Sequence, residues 1–313
     1  MPANAESTVD PDAGITRVDL AELLALRARA AKPVAFRARA ALTGGHASAL
    51  RGRGMDYAES RVYQPGDDAR NIDWRRTARS GKWHTKLFEA EREHSLLLLI
   101  DTHATMRFGT RARYKSVAAA RVAAWMAWTC VRAGDRIGAM TFGAVRSAVD
   151  PHGGTRGALA VLGALARWDE QAQAVDGVVG EPLSAALGRA QRLITPGSRA
   201  WLLSDGWCTN DAAVQALVRV ARHSDLRVAI LADALELELA PTGAYVFETA
   251  SERQAVDLAS AKVRAQFREG MSQGCRRLAD ACDKAAIPWT TLATTDEPDI
   301  AVAPVWRKRT RRR

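Results

Sequence analysis

The stretch "SLLLLID", residues 95–101, decides the fold. A continuous apolar run closed by an aspartate reads as a strand buried on both faces of a parallel sheet, because a half-exposed strand would alternate polar and apolar side chains. "RAWLLSDG", residues 199–206, repeats the pattern and also ends in aspartate. Between the two runs lie a helical stretch from Arg113 to Arg132, the strand "DRIGAMTF", an edge strand "VRSAVDP" after a turn at Gly143, and helical stretches near 156–168 and 182–194. A helix over 210–222, the strand "LRVAILAD", a short strand "AYVFETA", a helix over 253–285 and a last strand "WTTLAT" complete the series. Alternating strands and helices imply an α/β fold with a doubly wound, mostly parallel sheet and helices on both faces. Ligands of such sheets lie outside the carboxyl ends of the strands, where strand order reverses. If the two aspartate-ending strands are neighbours there, Asp101 and Asp205 face one crevice.

Upstream of this domain, expected over residues 94–296, the texture differs. Residues 1–44 read as a polar tail followed by a helix, "ITRVDLAELLALRARAA", with Asp19 as its cap. Residues 45–93 read as an appended strand-rich segment, entered through a glycine-bearing linker at 42–57, with turns at Pro65-Gly66 and Ser80-Gly81 and little helix. Within it, "VYQPGDDARNIDWRRTARSGK" (62–82) sets Asp67, Asp68 and Asp73 against Arg61, Arg70, Arg75, Arg76 and Arg79. Buried charges need partners and arginine forks onto carboxylates, so the pattern suits an interlocked salt-bridge lattice with Trp74 packed beneath. Such a lattice either fixes loop geometry or forms a docking face.

Bulk composition narrows the function classes. A chain of 313 residues with 47% hydrophobic content has ample core. Of its formal charge of +10, six charges come from Arg307, Lys308, Arg309, Arg311, Arg312 and Arg313. Residues 297–313 therefore read as a basic tail able to touch an anionic membrane surface, and no specific nucleic-acid reader is visible. Cys130, Cys208, Cys275 and Cys282 show no paired spacing, and neither a secretory leader nor a membrane-spanning run is seen, which points to the cytoplasm, with a peripheral place at the inner membrane open. There is no phosphate-binding loop and no nucleophile elbow around Ser204. His84 and His94 lack metal-ligand spacing, while Trp125 and Trp128 share one helix face and belong in a core.

"DTHATM" after one buried strand and "LLSDG" closing another resemble the von Willebrand factor type A fold. "YQPGDDARNIDWRRTARSGKWHTKLFEAERE" and "LADALELELAPTGAYVF" are similar to a narrower group, the bacterial domain of unknown function 58, marked by a tyrosine (here Tyr63), Pro65-Gly66-Asp67-Asp68, an arginine (Arg70) and Ile-Asp-Trp ahead of a von Willebrand A-like domain. The resemblance covers roughly residues 45–295. It implies a MoxR-type AAA+ ATPase as partner and a client protein that the pair matures or remodels.

It also implies a metal-ion-dependent adhesion site, in which a hard cation such as Mg or Mn takes carboxylate and hydroxyl oxygens and leaves one position for a partner's carboxylate. Asp101, Thr105 and Asp205 match that pattern. His103 stands where the first serine belongs, and Glu181 falls near the position of the loop threonine. An imidazole suits borderline metals better than Mg. The residues therefore read either as a degenerate divalent-cation site or as a vestigial protein-binding surface. Two functions follow: a non-enzymatic adaptor working with the ATPase, or a metal-dependent hydrolase using Asp101, His103 and Asp205.

Overall fold

The computed structural model describes residues 14–30, 55–90, 94–175, 179–194, 198–238, 242–248 and 253–307. The expected N-terminal tail to residue 13, most of the linker at 42–57 and the arginine-rich end at 308–313 lie outside them. In chain order the elements are α1 (Leu20–Ala25), β1 (Met55–Val62), α2 (Trp74–Ser80), β2 (His84–Ala90), β3 (Ser95–Asp101), α3 (Lys115–Ala133), β4 (Arg136–Phe142) and β5 (Ser147–Gly153). They continue with α4 (Gly154–Ala174), α5 (Leu183–Leu193), β6 (Arg199–Ser204), α6 (Asp211–His223), β7 (Asp225–Ala232) and α7 (Ala234–Leu237). Last come β8 (Ala244–Glu248), β9 (Arg253–Asp257), α8 (Ala261–Met271), α9 (Gln273–Lys284), β10 (Trp289–Ala293) and α10 (Pro298–Arg307). The chain divides into two units, Val34–Glu93 and the remainder, Met1–Pro33 with His94–Arg313.

The larger unit is built on a six-stranded sheet of order β10-β7-β6-β3-β4-β5, parallel except for β5. Strands β3 and β6 are hydrogen-bonded neighbours with Ile100 opposite Leu203, and the order reverses between them. Their apolar runs exist because each strand is covered twice. Leu96, Leu98 and Ile100 of β3 pack on one face with α1, α3, α4 and α10, while Leu97 and Leu99 pack on the other with α5, α6 and α9. Helix α3 is buried almost all round. Its run of alanines lets neighbours approach closely, and Trp125 and Trp128 fill the space toward α1, donating their indole N–H groups to Arg29 O and Leu23 O.

Three expectations are corrected here. The span 253–285 is not one helix: Arg253–Asp257 pairs antiparallel with Ala244–Glu248 as a separate two-stranded ribbon, and helix follows only from Ala261. The short strand "AYVFETA" therefore belongs to that ribbon and not to the main sheet. Residues 298–307 do not form a tail. They form α10, which buries Val302 and Val305 and sets Trp306 against Trp201 (5.9 Å, stacked) and Trp125 (5.5 Å, edge-on). Arg227, fully buried, donates to the carbonyls of Val305 and Trp306 and so caps the end of this helix. The α/β unit thus extends past residue 296, and it includes α1, whose Asp19 does accept from Ala21 N as its cap.

The smaller unit holds an antiparallel pair, β1 with β2, and the helix α2, where little helix was expected. Asp73 nucleates that helix by capping it, and Gly81, with φ of +69°, ends it in the left-handed conformation that glycine adopts without strain.

Because Trp306 fills a space between two other indoles, Trp306→Ala should lower unfolding free energy by about 3 kcal/mol, the range of a large aromatic truncation. Urea denaturation checks this, and an unchanged midpoint would show that α10 is not part of the core.

Candidate functional site

The carboxyl ends of β3 and β6 bring together a polar cluster inside the larger unit. Asp101 is fully buried and both its oxygens are engaged. Oδ1 accepts from the backbone N of His103 at 2.9 Å and from its Nδ1 at 2.6 Å. Oδ2 accepts from Ser204 Oγ at 2.6 Å and from the Cys208 thiol at 3.4 Å. Ser204 Oγ in turn accepts from Gly206 N. The His103 side chain is 24% exposed and lies edge-on to Phe142.

Asp205, one residue beyond β6, turns to a different partner. Its Oδ2 accepts from Lys115 Nζ at 2.8 Å, and its Oδ1 from Trp207 N at 3.2 Å. Lys115, the first residue of α3, also donates to Glu236 Oε1 at 2.9 Å and is 1% exposed. Glu236 Oε2 accepts from Asp233 N, completing a capping box on α7 in which Asp233 accepts from Leu235 N. Asp233 also receives Thr110 N, Thr110 Oγ1 and Thr294 Oγ1.

The electrostatics follow from this wiring. Burial by itself raises the pKa of Asp101, but hydrogen bonds from His103 and Ser204 and the imidazolium charge outweigh it and hold the carboxyl below its ordinary range. Burial opposes protonation of His103, yet Asp101 and the charge of Asp205 prevail and raise its pKa. For Asp205, burial and the like charge of Asp101 push the pKa up against Lys115. Glu236 is pushed up by burial, again against Lys115. Two carboxylates share one ammonium there. Burial and the adjacent Asp101 raise the Cys208 thiol far above its usual value, so it stays protonated.

The expected site residues therefore separate. Asp101 and His103 are joined directly. Asp205 borders them but is tied to Lys115. Thr105 is exposed on a short 3-10 turn, Ala104–Met106, whereas His103 just before it turns in to Asp101. Glu181 is engaged elsewhere: Arg189 clamps it through Nε and Nη2, at 3.3 and 2.6 Å, and its backbone bridges Gly143. Arg189, on α5, completes the clamp by donating to Thr141 O. A hard cation does not fit this donor set, because Asp101 is saturated, Asp205 already holds an ammonium and Glu181 a guanidinium. The donor atoms of Asp101, His103 and Cys208 do lie within 4.8 Å of one another, a mixed O, N, S set of borderline character. The hydrolase set of Asp101, His103 and Asp205 is not assembled around one point.

Lys115, Ser204, Cys208 and Glu236 complete the cluster and were not expected from the sequence. Only Glu236 carried a local signal, since Asp233-x-x-Glu236 after a strand is a capping-box spacing.

In the smaller unit the charged stretch is not a lattice. Among the described residues its aspartates serve the backbone. Asp67 closes the Pro65-Gly66 turn by accepting from Gln64 N and pairs with Arg61 at 2.6 Å, while Tyr63 donates to Asp67 O. Asp68 caps a 3-10 turn at Arg70 N, and Asp73 accepts from Ser60 Oγ and Arg76 N. The Gln64 N–H and Arg61 lower the Asp67 pKa, and the Ser60 hydroxyl lowers that of Asp73. Arg70, Arg75, Arg76 and Arg79 are exposed and make no ion pair there. Trp74 is 65% exposed and is not packed beneath charges. Ile-Asp-Trp thus reads physically as one residue in, one cap and one residue out: Ile72 is buried, Asp73 starts α2 and Trp74 faces solvent.

Comparison with known proteins adds a family. The family model described as "Protein of unknown function DUF58" matches residues 59–276. The uncharacterized proteins Rv1480 of Mycobacterium tuberculosis and Mb1516 of Mycobacterium bovis are each 32% identical over 215 residues, 67% of this chain and 65% of theirs. The chain therefore aligns with just under two thirds of the length of these relatives. Among solved structures, the conserved hypothetical protein BatB from Bacteroides thetaiotaomicron aligns with a TM-score of 0.35 and 14% identity, over 62% of this chain and 98% of its own. An aerotolerance-related membrane protein from Bacteroides fragilis aligns with a TM-score of 0.41 and 11% identity, over 69% and 100%. No helix among the described residues is long and apolar enough to cross a membrane.

Two outcomes test the cluster. Lys115→Met leaves two buried carboxylates without their cation and should cost about 3–5 kcal/mol near neutral pH, with Lys115→Met/Asp205→Asn/Glu236→Gln recovering part of the loss. The single variant's deficit should shrink as pH falls from about 7 to about 5, because burial raises both carboxyls and loss of the Lys115 charge raises them further; an equal deficit at both pH values would refute the assignment. His103 contributes in the opposite sense. With its folded pKa raised, its stabilisation is full below about pH 6.5 and is lost as pH climbs through the raised value, so His103→Gln should lower Tm more at about pH 6 than at about pH 9.

Proposed function

We propose that this chain, which belongs to the DUF58 family of proteins of unknown function, is a non-enzymatic interaction module. In this reading the larger unit is a von Willebrand A-like domain whose carboxyl edge serves as a recognition surface. It works beside a MoxR-type AAA+ ATPase that remodels a client protein. The observation that carries the reading is Lys115. Its ammonium sits between Asp205, the aspartate that an adhesion-type site would give to its metal, and Glu236, so the carboxyl edge holds its shape through a covalently attached cation. The cluster is hydrogen-bonded to itself, which suits a preset surface better than a reaction centre that must exchange protons with a substrate. The ATPase and client come from the family resemblance. The absence of a phosphate loop in the chain is in keeping with nucleotide hydrolysis by a partner.

A second reading rests on the 4.8 Å grouping of Asp101, His103 and Cys208, which would hold a borderline ion such as zinc if the thiol were deprotonated. Equilibrium dialysis of the purified chain separates the two. The module reading expects no retention of Mg, Mn or Zn, whereas saturable zinc uptake lost in Cys208→Ser would favour the second.

The partner is tested by affinity capture from the native cells with ATP and Mg present. Co-purification of an AAA+ ATPase with the wild-type chain, abolished by substituting the carboxyl-edge residues His103, partly exposed, and Thr105, exposed, with alanine, is expected. Capture of no ATPase, or its retention by that variant, would overturn the proposal.

A further inference from the structure

The smaller unit carries a surface that its own fold does not use. Trp74 and Trp83 are 65% and 57% exposed, and neighbouring Val62 is 54% exposed. The rings form a short ladder: Tyr63 to Trp83 is 6.0 Å between centroids and Trp83 to Trp74 is 6.4 Å. The backbone fixes it, since Tyr63 N donates to Trp83 O at the open end of the β1–β2 pair and Asp73 N donates to His84 O at the start of α2. Isolated exposed apolar residues are common, but two exposed indoles in ring contact with each other and with half-buried Tyr63 form the kind of anchor that protein interfaces bury.

Charge says what the array would meet. Between Ser60 and Lys86 the sequence has seven lysines and arginines against three aspartates. All three aspartates are engaged by turn and cap contacts, as described above. Arg70, Arg75, Arg76, Arg79 and Lys82 are exposed, and none makes an ion pair among the described residues. Arg75 and Arg79, four residues apart, share one face of α2, directly following Trp74. The patch is therefore aromatic and cationic together.

We infer that the Tyr63–Trp83–Trp74 ladder with the α2 arginines is a docking site for an acidic peptide segment of a partner protein, with apolar side chains seated against the indoles and carboxylates on the guanidiniums. Nucleic acid fits less well. The successive rings are tilted by 58° and 56°, so they do not offer the parallel faces that a run of stacked bases needs. Tilted indoles make notches instead, which suit proline, leucine or aromatic side chains. Arginine beside them supplies bidentate recognition of carboxylates. The site rests on the reading of the chain as an interaction module and names the chemistry of one partner.

Selection of a random-peptide display library on the full chain tests this. Enriched peptides should combine Asp or Glu with Trp, Phe, Leu or Pro. A resynthesised winner should bind roughly tenfold or more weakly to Trp74→Ala and to Arg75→Glu/Arg79→Glu, and nearly normally to Trp74→Phe. Both positions are exposed, so thermal unfolding of the variants should match the wild type, and the charge-reversed variant serves should Trp74→Ala fold poorly. No enrichment, peptides without acidic residues, or equal binding by the variants would overturn the inference. So would poly(dT) binding that quenches tryptophan fluorescence and is lost in Trp74→Ala, or a dimer seen by sedimentation that Trp74→Ala converts to monomer. If Trp74→Ala still captures the ATPase while losing the peptide, the docking site serves another partner and the module reading stands. Capture of no ATPase by the wild type, with peptide binding intact, would remove the ATPase reading alone.

Discussion

The Lys115 ammonium is the contact on which the carboxyl edge of the sheet depends. It stands at the first position of α3, where the helix dipole disfavours a cation, and it is buried. Two carboxylates are needed to hold it there, and they come from the end of β6 and from α7. The gross attraction of one such pair at 2.8 Å is about 6 kcal/mol at an effective dielectric of about 20, against a desolvation penalty of several kcal/mol per ion. The two nearly cancel. What remains is positional: one side chain fixes the start of α3, the turn after β6 and the capping box of α7 relative to one another. The close approach of Gly206 to Gly274 depends on the same turn, since a Cβ on Gly206 would lie 2.3 Å from the Gly274 carbonyl oxygen.

Much of the sheet was legible because double burial leaves a mark that single-sided burial does not. β3, β6 and β7 read as apolar runs, and pairing of β3 with β6 where strand order reverses brings Ser204 within hydrogen-bond reach of Asp101. The ribbon at 244–257 was not legible. Its strands pair only with each other, carry mixed polar residues, and merge in sequence with the helical pattern that follows. α10 was masked by the arginine run after it: charge density drew attention to 307–313 while "IAVAPVW" carried the apolar contacts. α2 escaped because seven residues hold too few apolar positions to show a period, and only the Asp73 cap and Gly81 announce it.

The site was half legible for a related reason. Aspartates that close buried strands are conspicuous, so Asp101 and Asp205 stood out. Their partners lie far along the chain: Ser204 is 103 residues from Asp101, and Lys115 is 90 from Asp205. No spacing rule connects such pairs. Glu181 misled because a carboxylate's availability depends on whether a guanidinium claims it, and Arg189 two turns into α5 does so. The three aspartates near Trp74 misled in the same manner, since backbone N–H groups compete with arginines for carboxylates and win at turns and caps.

These assignments bear on what kind of site this is. A reaction centre keeps some donors or acceptors underused so that a substrate can take them up. Here Asp101 uses both oxygens, Ser204 donates and accepts, and Glu236 uses one oxygen on the backbone and one on Lys115. His103 and Cys208 alone among these residues reach the surface, and Cys208 is held as a thiol. Of the cluster, His103 is then the member able to present a charge, and it does so through a ring braced from behind by Asp101. A braced imidazolium at the edge of a sheet, backed by a network with no slack, is a rigid cationic contact point. In the proposed recognition surface it is the group that would meet a partner carboxylate.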